Sequence, residues 1–250
     1  MLFTVVIPMY NEKAIAETCV RSLVEKLEAS AAALSFEYEI IFSDDGSTDG
    51  CGEIVTRFAE ENEHPRGEII LARSDVNMGK GNAVRRGMLQ SRGDVVLFTD
   101  SDLAYGVDVI ADMFERFTTE CADADILIGS RAIDPRGYDG YTFMRRLASK
   151  VYLKLLTVYA GFSHSDSQCG IKMFRGDAAR KIFSYCEIDK WAFDFEALLI
   201  AKKLGMKVAE HPVHIINHRE SKIHLVSDSI KMMGDIRRIK NRVKKLQIKP

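Results

Sequence analysis

From position 94 the sequence reads DVVLFTDSDLAYG. An apolar run, Val95 to Phe98, leads into Thr99 and then two aspartates separated by one serine, Asp100 and Asp102. Residues i and i+2 of an extended segment point to the same side. Read that way, the two carboxylates can meet on one oxygen-seeking cation. Mg2+ and Mn2+ prefer such ligands, and Mg2+ commonly sits between one or two carboxylates and substrate phosphates. The same triplet also suits a solvated turn whose aspartate caps the next helix. A lone D-x-D does not choose between these readings. Its neighbours do.

Three more loops of unusual composition precede it. PMYNE (8–12) follows a first apolar run, SDDGSTDG (43–50) a second, and DVNMGKGNA (75–83) a third. In the second loop, Gly46 permits a tight turn and Ser47, Thr48 or Asp49 can cap the following helix. Capping does not explain the adjacent carboxylates Asp44 and Asp45, which can accept hydrogen bonds from a base N–H or ribose hydroxyls. In the third loop, Gly79 and Gly81 flank Lys80 at a helix start, where backbone N–H groups can hold an anion. The spacing is not that of a P-loop, and a plain helix N-terminus explains it equally well.

The elements that must position these loops read as follows. Apolar, β-branched runs at 3–7, 38–42, 68–72, 94–98 and 125–129 predict strands. Helical patterns at Ala14–Ala29, Glu53–Glu61, Gly81–Gln90 and Val107–Phe117 alternate with them. Strands apolar on both faces, alternating with helices, predict a mostly parallel sheet flanked by helices, an α/β fold of the Rossmann-like, doubly wound kind. Ligands of such folds bind outside the carboxyl ends of the strands. All four unusual loops lie at those ends.

Past about residue 135 the pattern changes. YTFMRRLASKVYLKLLTVYAG (141–161) predicts a long amphipathic helix, IKMF (171–174) a strand, WAFDFEALLIAKKLG (191–205) a helix ending at Gly205, and MKVAEHPVHII (206–216) another strand. With no repeat or linker, one compact unit is expected.

The bulk properties bound the function. The chain has 250 residues, long enough for a sizeable core, and a formal net charge of −1, so no global field draws it to nucleic acid. Five cysteines, odd in number and without C-x-x-C, predict reduced thiols in a cytosolic protein rather than disulfides or structural zinc. The N-terminus enters a strand-like run directly, unlike a signal peptide, and no apolar run is long enough to span a membrane.

Together, VVIPMYNE (5–12), SDDGSTDG (43–50), NMGKGNA (77–83) and DSD (100–102) resemble the nucleotide-sugar site of the GT-A glycosyltransferases of family two. DSQCGIKMFR (166–175), WAFDFEAL (191–198) and ESK (220–222) resemble the polyprenyl-phosphate branch, especially its dolichyl-phosphate glucosyltransferases, with the mannose synthases more distant. The resemblance covers roughly residues 3–223. It implies a GT-A domain over 1–225, nucleotide-binding to about 130 and acceptor-binding from about 131, followed by a basic amphipathic helix over 226–250.

The implied reaction is inverting transfer of a hexose from a nucleoside diphosphate sugar, UDP-glucose before GDP-mannose, to a polyprenyl (dolichyl or undecaprenyl) phosphate. A family-two enzyme with a glycan or soluble hydroxyl acceptor is the second reading, and a non-catalytic nucleotide-sugar-binding module the third. By the same resemblance, Pro8, Tyr10, Glu12 and Asp45 would hold the nucleobase and ribose. Asp100 would contact the ribose or the metal, Asp102 would ligate the Mg2+ or Mn2+ that bridges the diphosphate, and Lys80 would serve the nucleotide sugar. Many mannose synthases have Gln two residues after the second Asp. Ala104 stands here, so the shell needs water or another group. Lys222, with Ser221, would face phosphate, and Gln168 and Asp166 the sugar or acceptor.

Asp194, with Glu196 second, is the candidate carboxylate beside the oxocarbenium-like carbon. A phosphate acceptor, with its second pKa near about 6, needs little proton removal, so Asp194 would stabilise or position. A hydroxyl acceptor would require it as a base. Helix N-terminal charge is the plain alternative for both residues. Arg131, Arg145 and Arg146 flank the loop 132–140 and could grip an acceptor phosphate, or form a solvated basic surface.

In the tail, Ile230, Met233, Ile236, Ile239, Val243 and Leu246 form an apolar stripe amid lysines and arginines. Such a helix suits an anionic membrane surface, giving a cytoplasmic protein peripheral at the cytoplasmic membrane face. Packing on the domain, or in a homo-oligomer, fits the stripe as well. His211, His214, His218 and His224 read mostly as surface or packing residues.

Overall fold

The computed structural model describes residues 1–139, 161, 164–217 and 225–247, the last segment with side chains from residue 234 onward. Residues 141–160 of the helix expected over 141–161, with Arg145 and Arg146, lie outside the described residues, as do His218, Ser221, Lys222 and His224.

β1 (Leu2–Met9) and β2 (Glu37–Asp44) are buried from their second residue to their last. They pair in parallel, Leu2 opposite Glu37 through Met9 opposite Asp44. β4 (Val95–Phe98) joins β1, and β3 (Gly67–Arg73) joins β2, also in parallel. β5 (Ile126–Ser130) and β7 (Val208–Pro212) are parallel to each other. Between β4 and β5 lies β6 (Lys172–Arg175), antiparallel to both. The order is β3-β2-β1-β4-β6-β5-β7. The expected mostly parallel sheet is present, with one reversed strand.

Helices cover both faces, because successive strand residues point to opposite sides. On one face, α1 (Lys13–Leu34), α2 (Cys51–Glu61) and α4 (Asp108–Thr119) bring Leu23, Val55 and Phe114 against Phe3, Val5, Ile40 and Leu97. On the other, α3 (Lys80–Gln90), α5 (Gly176–Tyr185) and α6 (Phe193–Lys203) bring Val84, Ile182 and Leu198 against Val6, Ile41, Phe98 and Phe174. α1 continues past Ala29 because Ala31, Ala32 and Ala33 are strong helix formers. It stops at Ser35, which turns left-handed at φ 56.

The C-terminal helix α7 (Leu225–Lys245) belongs to the second face. Ile236, Ile239 and Val243 are buried there. Arg242 Nη2 donates to Glu196 Oε1 at 2.5 Å and to the Tyr185 carbonyl at 2.8 Å. Lys203 Nζ donates to the carbonyls of Val243 and Lys244, in the last turns of α7. This corrects the membrane-facing reading for positions 236–243: side chains already covered by the domain cannot enter lipid. Arg237, Arg238, Lys240, Lys244 and Lys245 remain exposed. Among the described residues, no helix is long and apolar enough to cross a membrane.

Arg242→Met leaves the fully buried Glu196 carboxylate without its cation, a loss of about 3–5 kcal/mol. Urea unfolding followed by circular dichroism measures it, and an unchanged midpoint would refute the clamp.

Candidate active site

Parallel strands deliver their carboxyl ends, and the loops that follow, to one edge. The reversed strand begins at that edge: Lys172 lies opposite Phe98 of β4 and Ile128 of β5. Residues far apart in the chain therefore meet the acidic turn after β4.

That turn differs from the extended segment read from the sequence. β4 ends at Phe98, and the Leu103 N–H closes a tight turn onto the Asp100 carbonyl at 3.0 Å. Leu103 is left-handed, φ 47. Asp102 Oδ1 accepts the Ala104 N–H at 3.1 Å. Asp100 is 33% exposed and paired with the Lys80 ammonium group. Lys80 also lies 5.5 Å from the ring centroid of the exposed Trp191. Burial alone would lower the Lys80 pKa, but Asp100, then Asp194 and Asp102, hold it above the usual lysine value.

The glycines beside Lys80 have a packing reason. A Cβ on Gly79, which sits at φ 111, would lie 2.4 Å from the Asp189 carbonyl oxygen, and one on Gly81 2.4 Å from that of Ile188. The segment 188–190 thus presses directly on the start of α3. An anion is indeed bound at this helix start, but it belongs to the protein. Asp45 accepts the N–H groups of Met78 at 3.0 Å and Gly79 at 2.7 Å. Asp45 is buried, so it anchors the third loop instead of offering oxygens to a base or ribose.

Asp44 Oδ1 accepts the Ser47 N–H at 2.9 Å. Its Oδ2 is buried with no hydrogen-bond partner among the described residues, and Arg73 Nε stands 3.6 Å from the carboxylate. Asp49 caps two helices at once, taking Lys13 N–H on Oδ2 at 2.8 Å and Cys51 N–H on Oδ1 at 3.0 Å. Asn11, left-handed at φ 51, ties the first loop to the second through Ser47 Oγ and the Thr48 N–H. Beside it Tyr10 is exposed, and the Glu12 carbonyl starts α1. Pro8 is buried within β1 opposite Ser43, where it shapes the strand end.

The second half of the chain contributes two buried ion pairs. Lys172 Nζ, fully buried, donates to Asp194 Oδ1 at 2.6 Å and to the Cys169 carbonyl at 2.5 Å. Burial pushes the Asp194 carboxyl above the usual aspartate value, against the pull of Lys172 and Lys80 and with a push from Asp100. Arg131 holds Asp166 in a fork, Nε to Oδ2 at 2.7 Å and Nη2 to Oδ1 at 2.9 Å. Arg131 is therefore engaged with Asp166 as a strut between β5 and the 166–170 loop, a role the sequence reading of an acceptor-phosphate grip did not include. In the same loop Gln168 Nε2 is buried without a hydrogen-bond partner among the described residues, and the Gly170 N–H donates to Tyr105 Oη at 3.3 Å.

Glu196 is excluded as a second reactive carboxylate. Its oxygens accept the N–H groups of Glu187 and Ile188 and the guanidinium of Arg242. All five cysteines are free, and burial, aided by Asp166, pushes the Cys169 thiol up to about 11.

The sequence reading missed Lys172 and Trp191. A signal for Lys172 was present: a lysine inside the apolar run IKMF must be buried and paired.

Asp100 and Asp102, both partly exposed, are donors of the type a hard divalent cation takes, one or two protein carboxylates with water and substrate oxygens completing the shell. Asp100 already attracts an ammonium ion, the mark of a cation-seeking oxygen. Among the described residues, no three or more His, Cys, Asp or Glu side chains gather to hold a metal on their own. A cation held there would take the rest of its shell from water or a bound ligand, Ala104 offering no side-chain donor.

This arrangement, a seven-stranded mixed sheet flanked by helices with its charged groups at the carboxyl edge, is the GT-A type of α/β fold. Residues 4–183 match glycosyl transferase family 2, and the chain belongs to that family. It is 35% identical over 245 residues to a dolichyl-phosphate beta-glucosyltransferase of Dictyostelium discoideum, covering 96% of this chain and 74% of that protein. A dolichyl-phosphate beta-glucosyltransferase of Saccharomyces cerevisiae is 30% identical over 247 residues, 94% of this chain and 73% of that one. Among solved structures, it is similar to glucosyl-3-phosphoglycerate synthase from Mycobacterium tuberculosis in complex with Mn2+, uridine diphosphate and phosphoglyceric acid. The TM-score is 0.68 at 18% identity, over 99% of this chain and 80% of that one. At that identity the likeness speaks for the fold alone.

Asp45→Asn would place an amide where two backbone N–H groups need acceptors, costing about 1–3 kcal/mol. Denaturant unfolding checks this, and a stability equal to wild type would show that Asp45 does not anchor the loop.

Proposed function

We propose that this chain transfers glucose from UDP-glucose, with inversion, to a polyprenyl phosphate such as dolichyl phosphate. The observation that carries the reading is its 35% identity, over 96% of its length, to a protein named dolichyl-phosphate beta-glucosyltransferase; the donor and the inversion are part of the proposal. The strand-end geometry supports it chemically.

The leaving diphosphate accumulates negative charge, which preorganised cations must meet. Lys80, at the head of α3, is the described cation beside the Asp100 turn. A divalent ion held by Asp100 and Asp102 would supply further charge neutralisation. Asp194 is the carboxylate proposed to stabilise positive charge on the sugar. A phosphate acceptor is already ionised, with its second pKa near about 6, so Asp194 need not remove a proton. Tyr10 and Glu12 are proposed to contact the nucleoside, and Gln168 the sugar. Lys222, with Ser221, is proposed to meet phosphate. A lipid acceptor implies work at a membrane surface.

The test is incubation with Mn2+, labelled UDP-glucose or GDP-mannose, and a polyprenyl phosphate. Lipid-linked glucose is expected from UDP-glucose. No lipid-linked product from either donor would sink the reading, and product from GDP-mannose alone would reassign the donor. Asp102→Asn should lower Mn2+-dependent kcat about 100-fold; full activity in that variant would remove Asp102 from the metal shell.

A further inference from the structure

Lys172 needs an explanation beyond packing. Lysine is almost never fully buried unless paired. A buried ion pair is also a poor source of stability, since apolar residues of similar volume often replace one without loss. Stability therefore does not account for this lysine, and its position does.

Three segments of the site converge on its ammonium group. The Phe98 ring, at the end of β4 just before the Asp100 turn, has its centroid 5.4 Å away. The Cys169 carbonyl, in the loop that carries Asp166, Gln168 and Gly170, accepts one hydrogen bond at 2.5 Å. Asp194, in the first turn of α6, accepts another at 2.6 Å. The 166–170 loop in turn leans on the acidic turn: a Cβ on Gly170 would lie 2.8 Å from Asp100 Oδ2. Moving Lys172 would release Asp194 and this loop together.

We infer that Lys172 is a positioning residue for sugar transfer. It holds the Asp194 carboxylate in one orientation and ties it to the loop that packs against Asp100. Lys172, fully buried, offers no surface to a donor or acceptor and acts through Asp194. The inference rests on the transferase reading above, with Asp194 as the stabilising carboxylate.

The test compares wild type, Lys172→Gln, Asp194→Asn and the double variant. Glutamine keeps a donor for both partners without the charge, and in the double variant its amide can donate to the asparagine carbonyl, so that variant stays folded even where the single one is weakened. Two quantities are read: the urea unfolding midpoint, and kcat with donor KM from uridine diphosphate release with Mn2+, with and without polyprenyl phosphate. Lys172→Gln should lower kcat about 10-fold or more while donor KM stays within about 2-fold, since misplacement of a reacting group costs rate more than binding. The double variant should regain a near-wild-type midpoint yet be no slower than Asp194→Asn alone. Wild-type kcat in folded Lys172→Gln, or losses that multiply in the double variant, would overturn the inference. Wild-type release of uridine diphosphate without lipid-linked product would fault the acceptor alone and leave the comparison valid. No release under either condition would overturn the transferase reading and this inference with it.

Discussion

Carboxylates crowded at one edge of a buried sheet cannot coexist there uncompensated, and most of this site's architecture follows from that constraint. Each carboxylate has a distinct counterpart. Asp44 takes the Ser47 N–H, Asp45 two N–H groups at the head of α3, and Asp49 the heads of α1 and α2. Asp100 is met by Lys80, Asp166 by Arg131 and Asp194 by Lys172. The exception is Asp44 Oδ2, buried with no hydrogen bond among the described residues and only an ion pair to Arg73 Nε at 3.6 Å. Helix starts and buried cations do the neutralising, so the loops that carry the acids are held by the same contacts that make them tolerable.

The division of labour among these pairs follows from exposure. Asp45 and Glu196 are sealed and saturated, and they behave as internal anchors. Asp100 and Asp102 keep partial access to solvent, so their partners do not seal them off. Asp194 stands between: nearly buried, yet within the field of Lys80 and Asp100. A carboxylate held that way is fixed in orientation by the Lys172 ammonium group, in surroundings where water does little to screen it.

Chain direction completes the site. A sheet of parallel strands alone would bring to this edge only the residues that follow each strand. Reversing β6 brings a strand beginning instead, and with it Lys172, into the same row as the ends of β4 and β5. α6 and α7 are then locked together through Glu196 and Arg242, which fixes the turn on which Asp194 sits. The tail helix serves the site through this chain of contacts, with its described apolar stripe turned inward.

Taken by itself, the sequence determined the alternation of strands and helices, the parallel core and the gathering of four polar loops at one edge. Those features rest on local patterns, apolar runs and turn residues, which the chain declares without reference to distant partners. The tight turn at Asp100–Leu103 was not legible, because it depends on one left-handed leucine. Nor was the closing of Asp45 onto the α3 start, the capture of Arg131 by Asp166, the inward face of α7 or the meeting of Lys172 with Asp194. These pair residues with others up to 57 positions away in the chain, and an apolar stripe or a single charge carries no address for its partner. Only the folded chain, by bringing such groups within hydrogen-bond reach in a low-dielectric interior, decides which charges are anchors and which remain for chemistry.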